Sequence, residues 1–315
     1  TFNSPIHLET NDYSYHHPVM LQECLEGLAI RPDGIYVDVT FGGGGHSRAI
    51  LEKLTTGKLY SFDQDADARA ESKKISDPNF TFIQANFRYI KQYLRVYGVK
   101  KVDGILADLG ISSHQIDTAD RGFSTRFDAT LDMRMNQQGN LTAKELIATS
   151  SVEELHRILG MYGEIKNAKS AAQAIVMARS SQPIETIQDL KNVLQGIAPR
   201  GKEFKYFAQI FQALRIVVNE EMAVLEEFLQ QVPDLLTPKG RLVVMSYHSL
   251  EDRPVKNFIR SGKFSGEVEK DFFGNEIKPM VAVNRKPIEA TPEEIQQNPR
   301  ARSAKLRIAT LYNAD

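Results

Sequence analysis

The stretch Gly34-Ile-Tyr-Val-Asp-Val-Thr-Phe-Gly-Gly-Gly-Gly-His46-Ser-Arg-Ala-Ile-Leu, continued by Leu59-Tyr-Ser-Phe-Asp63-Gln-Asp65, decides the fold of this chain. Residues 35–39 are mostly apolar and β-branched, which is typical of a buried parallel strand. Residues 47–54 show a helical pattern, and the glycines before them let the backbone approach a ligand. Strand, glycine turn and helix therefore predict half of a nucleotide-binding βαβ unit, whose helix offers unpaired N–H groups.

The second strand of this unit, residues 58–62, ends at Asp63, which lies 25 positions after Asp38. A carboxylate at that tip can accept hydrogen bonds from both ribose hydroxyls of an adenosine. A dinucleotide fingerprint would place a third glycine where Ser47 stands after Gly42 and Gly44. Asp38 can in addition face the amino group of a methionine moiety. The stretch favours an S-adenosylmethionine site, with a nicotinamide or flavin site and a ligand-free glycine turn as alternatives.

Composition limits the protein class. The 315 residues suffice for about two domains, and 42% hydrophobic with 25% charged residues is the profile of a soluble globular protein. No apolar run approaches the ~20 residues of a membrane span, and the polar residues 1–15 are expected to be a loose tail and not a signal peptide. The single cysteine, Cys24, lies on an apolar helix face, which predicts a buried thiol and fits a reducing cytoplasm.

Two further observations concern ligands. The net charge of −1 argues neither for nor against an RNA substrate, because local basic patches decide such binding. His16 and His17 could ligate a metal, but no cluster of partner ligands accompanies them. We therefore expect no metal site, and surface or packing roles for these two histidines.

Three more predicted strands end in side chains suited to a ligand site. The strand at 80–84 is followed by Phe87, which could pack on an adenine face or simply belong to the core. The strand at 102–110 carries Asp108 near its end, and the strand at 241–245 is followed by a polar cluster with His248 and Asp252. Ligands of open α/β sheets bind beyond the carboxyl ends of the strands, so these side chains should share one crevice with Asp63.

The βα alternation stops after Ile111, and helical patterns without strands follow at 142–149, 151–160, 164–180 and 186–196. We read residues 119–205 as an all-helical insertion, and residues 1–118 with 206–315 as a discontinuous core. The insertion starts where the crevice opens, so it is placed to grip a substrate; a packing elaboration without substrate contact is the alternative.

The C-terminal third is predicted to complete the core. Residues 204–232 are strongly periodic and predict one long core helix. Residues 280–284 and 305–311 predict an antiparallel edge. The basic segments 285–286 and 298–307 fit either phosphate contacts or solvated surface charge.

Several strings occur in one order along the chain and together resemble the ribosomal RNA small subunit methyltransferase H family, also called MraW or RsmH. They are Asp38-Val-Thr-Phe-Gly-Gly-Gly-Gly-His46-Ser, Asp103-Gly-Ile-Leu-Ala-Asp108-Leu-Gly-Ile-Ser-Ser, Arg121-Gly-Phe-Ser, Leu131-Asp-Met-Arg-Met, Phe211-Gln-Ala-Leu-Arg-Ile, His248-Ser-Leu-Glu-Asp-Arg253 and Asn298-Pro-Arg-Ala-Arg-Ser303. The resemblance covers about residues 15–311. It implies an α/β, class I S-adenosylmethionine-dependent methyltransferase (Rossmann-like) core with an inserted all-helical domain.

The resemblance also implies an activity and a set of site residues. The activity is methylation of N4 of one cytidine of 16S rRNA in the small ribosomal subunit, near the P site, with S-adenosylmethionine. The positions that match the family's cofactor contacts are Gly44, Gly45, His46, Asp63, Phe87, Asp108 and Gln115. Of these, His46 and Gln115 come from the resemblance alone, whereas Asp38 and Gly42 are added by the strand and loop pattern.

The chain departs from the family pattern at Ile165, Ser170 and Gln173, where acid or arginine would be typical. If that helix meets RNA phosphates, the binding should be weaker here or redistributed to other positions. The predicted cofactor site is unaffected by this departure.

As a mechanistic hypothesis, Asp108 or Ser113 in the loop at 112–113 holds the amino group that is methylated, and His248 or Asp252 closes the pocket. The target base would have to leave its stack. A small-molecule methyltransferase or dehydrogenase, and an RNA-binding ribosome-assembly factor that has lost activity, are the competing interpretations. The sequence leaves open whether the substrate is free RNA or the assembled subunit, and whether the protein is a homodimer.

Overall fold

The structure, a computed structural model, describes residues 17–312, apart from the side chain of Ser113. The predicted N-terminal tail and His16 lie outside this range. The chain divides into two units, one formed by residues up to 110 together with those from 223 onward, and the other by residues 111–222.

The elements alternate between strands and helices in the first unit and are helical in the second. The strands are β1 (Ile35–Asp38), β2 (Lys58–Phe62), β3 (Phe80–Ile83), β4 (Val102–Asp108), β5 (Leu236–Ser246), β6 (Glu269–Lys270), β7 (Glu276–Ile277), β8 (Met280–Ala282) and β9 (Lys305–Leu311). The α-helices are α1 (Leu21–Leu28), α2 (Gly45–Glu52), α3 (Ala66–Ser72), α4 (Ile90–Val96), α5 (Ser113–Asp117), α6 (Ala143–Thr149), α7 (Val152–Met161), α8 (Ala168–Ser181), α9 (Ile187–Leu194), α10 (Glu203–Val218), α11 (Glu221–Leu235), α12 (Ser249–Ser261) and α13 (Pro292–Gln297).

The first unit is built on a seven-stranded sheet in the order β3-β2-β1-β4-β5-β9-β8. The strands from β3 to β5 are mutually parallel, and β9 runs antiparallel to both β5 and β8. The strand order reverses between β1 and β4, which is the topological switch point of an open α/β sheet. This order, with one antiparallel strand next to the edge, is that of a class I methyltransferase and confirms the predicted fold class.

Successive side chains along each strand point to opposite faces of the sheet, and both faces are buried. Val37, Ile105 and Val244 belong to a core that includes side chains of α4, α11 and α12. Tyr36 and Leu106 belong to the opposite core, formed with α1 and α2. Both faces are covered by helices, so these strands contain near-continuous apolar runs.

Cys24 of α1 is fully buried, as predicted. None of the helices within residues 17–312 has the length and apolar character that a membrane span requires.

The second unit has a hydrophobic core of its own, contributed by α6 to α10. Ile165 is buried in this core, whereas Ser170 and Gln173 are exposed on α8. An acid in place of Ile165 would need a partner in an apolar environment, because an unpaired buried charge is costly. The departure at this position is therefore accounted for by packing.

Two predicted boundaries differ from the structure. The predicted single helix at 204–232 is wrong: α10 ends at Val218, and α11 begins at Glu221 after Glu220 adopts a φ of 49°. Asn219 fixes this break, because its side-chain amide donates to Arg215 O and its carbonyl accepts from Met135 N.

Helix α10 packs into the core of the second unit, so that unit extends to residue 222, beyond the predicted bounds of 119–205.

Candidate active site

The side chains singled out at strand ends lie along one edge of the sheet. Asp38 ends β1, Asp63 follows β2, Phe87 follows β3, Asp108 ends β4 and His248 lies just after β5. Because these strands are parallel, their carboxyl ends meet at the same edge, which is where open α/β sheets bind ligands. The predicted grouping of strand tips is thus present within the first unit.

The glycine loop leads from β1 into α2 by two residues in the left-handed region. Gly42 has a φ of 55° and Gly44, the residue that precedes α2, has a φ of 83°. The Gly44 N–H donates to Phe41 O at 2.8 Å, and Arg48 Nη1 donates to Gly43 O at 2.7 Å. This geometry presents backbone N–H groups at the start of a helix, which suits an anionic or hydrogen-bonding ligand.

We predict that Gly44→Ala weakens both the loop and cofactor binding. A Cβ atom there would lie 2.7 Å from Phe41 Cζ and 2.7 Å from Arg48 Nη1, in addition to its left-handed φ. The expected cost in unfolding free energy is about 2–3 kcal/mol, of which roughly 1–2 is backbone strain. We expect at least a tenfold higher dissociation constant for S-adenosylmethionine by calorimetry.

Gly98→Ala is the matched control, because Gly98 has a φ of 74° and no atom within 4 Å of the added Cβ. Gly98→Ala should lower the unfolding free energy only by the cost of backbone strain, and should bind the cofactor with wild-type affinity. Equal cofactor binding by the two variants would contradict the close-approach argument.

The carboxylate of Asp63 is held by the backbone on both sides. Its Oδ2 accepts from Gly42 N and its Oδ1 from Asp65 N, each at 2.9 Å. The residue is partly accessible, and burial raises its pKa to about 6 against the opposing effect of these hydrogen bonds. The group is fixed in orientation, and each oxygen retains a lone pair for a further donor.

Asp38 lies at the centre of a hydrogen-bond network that links strand tips. Ser47 Oγ donates to its Oδ2 at 2.6 Å and Thr40 N donates to its Oδ1 at 3.1 Å. The Ser47 hydroxyl also bonds the hydroxyl of Ser61 in β2, and the Thr40 hydroxyl accepts from Asp108 N at 2.7 Å. The network therefore joins β2, β1 and β4 below the glycine loop.

Asp38 is completely buried, and its predicted contact with a methionine amino group stays a prediction. Burial raises its pKa, and burial lowers that of the neighbouring His46, whose Nε2 lies 3.4 Å from Val19 O. Since both side chains are enclosed by protein, we propose that Asp38 holds the loop in place and that His46 would meet a cofactor through its backbone.

Asp108 is paired with a tyrosine that the sequence interpretation did not single out. Tyr247 donates its hydroxyl hydrogen to Asp108 Oδ1 at 2.7 Å, and Oδ2 has no hydrogen-bond partner within residues 17–312. Burial raises the pKa of Asp108 to about 6, opposed by the Tyr247 hydrogen bond and the charge of Arg300, and reinforced by Glu251. Burial and the adjacent carboxylate also raise the pKa of Tyr247, which keeps it a donor.

Asp252 has a structural partner. Arg307 Nε and Nη2 donate to Oδ1 and Oδ2 of Asp252 at 2.7 and 2.9 Å, joining α12 to β9 in a bidentate pair. Burial alone would raise the pKa of Asp252, but the guanidinium outweighs it and leaves the pKa below its usual range. We propose a positioning role for Asp252 at the start of α12, in place of the predicted role in closing the pocket.

We predict that Arg307→Met destabilises the protein by about 3 kcal/mol, because removing one partner leaves the other charge largely buried. The side chains of the pair are only 13% and 12% exposed. Thermal unfolding of the double variant Asp252→Leu with Arg307→Met should recover most of the loss. Arg31→Met is the control: Arg31 pairs with Asp103 but is 64% exposed, so the expected change is within about 1 kcal/mol. Similar losses for both single variants would contradict the prediction.

Phe87 packs against the core, and its predicted contact with an adenine stays a prediction. Its ring meets the buried Phe228 edge to face, with 5.1 Å between the centroids, and the rest of the side chain is partly accessible. Packing against the core fixes the ring and leaves surface for a ligand.

Two predicted residues belong to the second unit. Gln115 is buried and caps α5, since its side-chain carbonyl accepts from Ser112 N at 3.0 Å while Ser112 Oγ accepts from Gln115 N. Ser113 is the first residue of this helix, and its side chain lies outside the described part of the chain. Their contacts with cofactor or substrate stay predictions.

The residues of the basic C-terminal segment differ in their contacts, since some are paired within the protein and others are exposed. Arg307 is committed to Asp252, whereas Arg302 and Lys305 are exposed. The charge of Arg300 acts on both Asp108 and Tyr247, so this arginine contributes to the electrostatics of the strand tips.

No group of three or more His, Cys, Asp or Glu side chains in the described range is arranged to hold a metal ion. His17 is exposed, with its Nδ1 at 3.1 Å from Pro18 O.

The model of the MraW methylase family matches residues 13–311. The chain belongs to the MraW methylase family. The protein is accordingly an S-adenosylmethionine-dependent methyltransferase, and the predicted resemblance is confirmed.

Individual members of the MraW family match at high identity over almost their whole length. A ribosomal RNA small subunit methyltransferase H of Cytophaga hutchinsonii is 60% identical over 295 residues, which cover 94% of this chain and 99% of that protein. Proteins with the same name from Christiangramia forsetii and Parabacteroides distasonis are 56% and 55% identical, covering 94% and 96% of this chain and 97% and 99% of their own lengths.

Proposed function

We propose that this MraW-family methyltransferase methylates the N4 amino group of a specific cytidine of 16S rRNA, near the P site of the small ribosomal subunit in the cytoplasm. The similar proteins named above carry the name of ribosomal RNA small subunit methyltransferase H. The observation on the structure that supports an exocyclic amine as acceptor is Asp108, a fixed carboxylate at a strand tip with one oxygen left for a donor.

The chain's own residues suit S-adenosylmethionine, which supplies an electrophilic methyl group on a sulfonium. Asp63, already fixed by Gly42 and Asp65, has lone pairs for two ribose hydroxyls. The loop at Gly44 approaches the amino-acid end closely and Gly45, at the start of α2, offers it a backbone N–H group, while Phe87 offers ring surface to the adenine. We propose these residues, with the backbone of His46, as the cofactor contacts, and Gln115 on the resemblance alone.

Asp108 is proposed to orient the acceptor. The amino group of cytosine is a weak nucleophile because its lone pair is delocalised into the ring. A carboxylate that accepts one N–H of this group holds it in place and helps to localise the lone pair toward the methyl group. Orientation of this kind can supply a large part of a rate enhancement. Ser113 is the alternative donor or acceptor at this position.

The helical insertion, residues 119–205, is proposed as the RNA-recognition domain. It folds around its own core and carries exposed cations, which suit phosphate contacts. They are Arg126, Arg157, Lys166, Lys169, Arg200, Lys202 and Lys205. Such contacts would make binding salt-dependent, since each phosphate neutralised releases counterions.

The experiment is methyl transfer followed by identification of the product. The protein is incubated with isotopically labelled S-adenosylmethionine and small ribosomal subunits that lack the modification, or with the free RNA. The RNA is then digested, and the labelled nucleoside is identified by mass spectrometry. Label in N4-methylcytidine supports the proposal, and comparison of the two substrates identifies the form that is recognised.

Label in another nucleoside would contradict the proposed specificity. No label on either substrate, with cofactor binding intact by calorimetry, would favour an assembly factor that binds RNA without turning over.

A further inference from the structure

Glu251 and His248 form a buried pair beside Asp108 that the proposed roles do not yet use. Nε2 of His248 lies 2.5 Å from Oε1 of Glu251, one turn further along the start of α12. Glu251 is only 3% exposed. A Cβ added to Gly110, two residues after Asp108, would lie 3.9 Å from Glu251 Oε1, so the pair adjoins the end of β4.

The polar atoms of this pair are poorly satisfied by the protein. Within residues 17–312, neither carboxylate oxygen of Glu251 and neither ring nitrogen of His248 has a well-formed hydrogen-bond partner, although Nε2 and Oε1 are in close contact. A buried carboxylate and imidazole left in this state lower the stability of the fold, and a charged group lowers it more than a neutral one. Buried groups of this kind call for an explanation in terms of a ligand or a reaction.

From this geometry we infer that His248 takes the proton released by the methylated amine, and that Glu251 positions His248 for this step. The inference rests on the proposed function. The carboxylate stabilises the tautomer with hydrogen on Nε2, which leaves the lone pair on Nδ1. A carboxylate that fixes an imidazole tautomer while the other nitrogen accepts a proton is a recurring arrangement in enzymes.

The step balances in atoms and charge. The nitrogen lone pair forms the new N–C bond, and the electrons of the broken bond remain on the departing sulfur. The nitrogen becomes cationic and transfers one proton to Nδ1 of His248, whose imidazolium is stabilised by Glu251. The proton then passes to water, which restores the neutral ring.

The surrounding charges permit this role. Asp108 is the ionisable group on which the charge of Glu251 acts, and Arg300 opposes that effect on the pKa of Asp108. Asp108 accepts from Tyr247, so its position is already fixed by another donor. This leaves orientation of the amine to Asp108 and acceptance of its proton to His248.

The test compares His248→Ala and Glu251→Gln with the wild-type protein on small ribosomal subunits. Each should lower the single-turnover rate by about a hundredfold, the low end for a general base, with the dissociation constant for S-adenosylmethionine within twofold. Added imidazole should restore part of the rate of His248→Ala in proportion to its unprotonated fraction, and should leave the wild type unchanged. Glu226→Gln, on the exposed face of α11, is the matched control.

A second readout needs neither cofactor nor substrate. Nitrogen-15 spectra of the neutral histidines should show His248 as the Nε2–H tautomer in the wild type and as a mixture in Glu251→Gln, with the signal assigned by its loss in His248→Ala. Wild-type rates in both variants, or a slow His248→Ala that imidazole does not rescue, would overturn the inference. If the wild type itself methylates no RNA, the proposed function fails, and the tautomer measurement still decides whether the pair exists.

Discussion

Asp63→Asn is expected to weaken the binding of S-adenosylmethionine roughly a thousandfold. Asparagine has a single acceptor oxygen, so its NH₂ group must face the N–H of Gly42, the N–H of Asp65 or a ribose hydroxyl. Two charge-assisted hydrogen bonds are worth about 1.5–3 kcal/mol each, and a loss of about 4 kcal/mol corresponds to this factor. Titration calorimetry on the purified protein measures it directly.

The matched control for this variant is Asp33→Asn. Asp33 is exposed in the turn before β1, at the amino end of the sheet, so cofactor affinity should stay within twofold. Asp63→Asn with normal affinity would show that the ribose is held elsewhere. A loss of folded structure, checked by circular dichroism, would instead show that Asp63 acts mainly by joining the loop to β2.

The same carboxylate gives the affinity a predictable pH dependence. Asp63 in the free protein has a pKa of about 6, above its ordinary value because it is buried. Ribose hydroxyls donate to the ionised form, so binding releases a proton below pH 6 and affinity rises with pH until about pH 6–7, then levels off. The cofactor keeps one charge state between pH 5 and 7, since its carboxyl group titrates at about 3.5 and its amino group near 8. In Asp63→Asn, the affinity for S-adenosylmethionine should change less with pH between pH 5 and 7 than in the wild type.

The sequence predicts well those features that depend on local pattern. Strands β1, β2 and β3 lie within one residue of their predicted bounds, and β4 ends two residues before its predicted end. The grouping of Asp63, Phe87 and Asp108 follows from strand direction alone, because parallel strands bring their carboxyl ends to one edge. The glycine loop can be predicted for a similar reason, since Gly42 and Gly44 adopt the positive φ angles that favour glycine.

The features that the sequence does not predict depend on contacts between side chains that are far apart in the chain. The apolar period runs through the break between α10 and α11, because both helices bury an apolar face; only Asn219 marks the break, through bonds to residues before it. The bond from Ser47 Oγ to Asp38 likewise depends on how α2 packs on β1, which the spacing of the two residues does not specify. The pairing of Tyr247 with Asp108 joins residues 139 positions apart, and no spacing rule predicts it.

Asp108→Asn is expected to make the cofactor-free protein more stable while it abolishes most of the methyl transfer. The pKa of Asp108 lies near 6, whereas an unfolded aspartate titrates near 3.8. The folded protein therefore binds the proton more tightly, and stability falls as the pH rises from about 4 through 6. A shift of this size is worth up to about 3 kcal/mol, reduced to roughly 1–2 because the side chain is partly accessible to water.

Asparagine has no charge to desolvate and can still accept from Tyr247, so the variant should unfold a few degrees higher than the wild type at pH 7.5. The difference should shrink toward pH 4, where Asp108 is protonated in the folded state and partly protonated in the unfolded state, and vanish below that pH. Tyr247→Phe is the informative companion, since it removes the donor to Oδ1 and should lower stability at neutral pH. An Asp108→Asn protein that is less stable than the wild type at pH 7.5 would contradict the burial argument.

The catalytic cost of Asp108→Asn should be large, because the fixed negative charge that orients the acceptor amine is lost. We expect a rate of methyl transfer to small ribosomal subunits roughly a thousandfold below wild type under single-turnover conditions, in line with the loss of orientation and of one charge-assisted hydrogen bond. Normal methylation by a variant that binds the cofactor would remove Asp108 from the mechanism. A partly buried carboxylate that is kept for catalysis lowers the stability of the protein, because its charge is desolvated. Replacing Asp108 by asparagine removes both this cost and the catalytic group, so the variant should be more stable and less active.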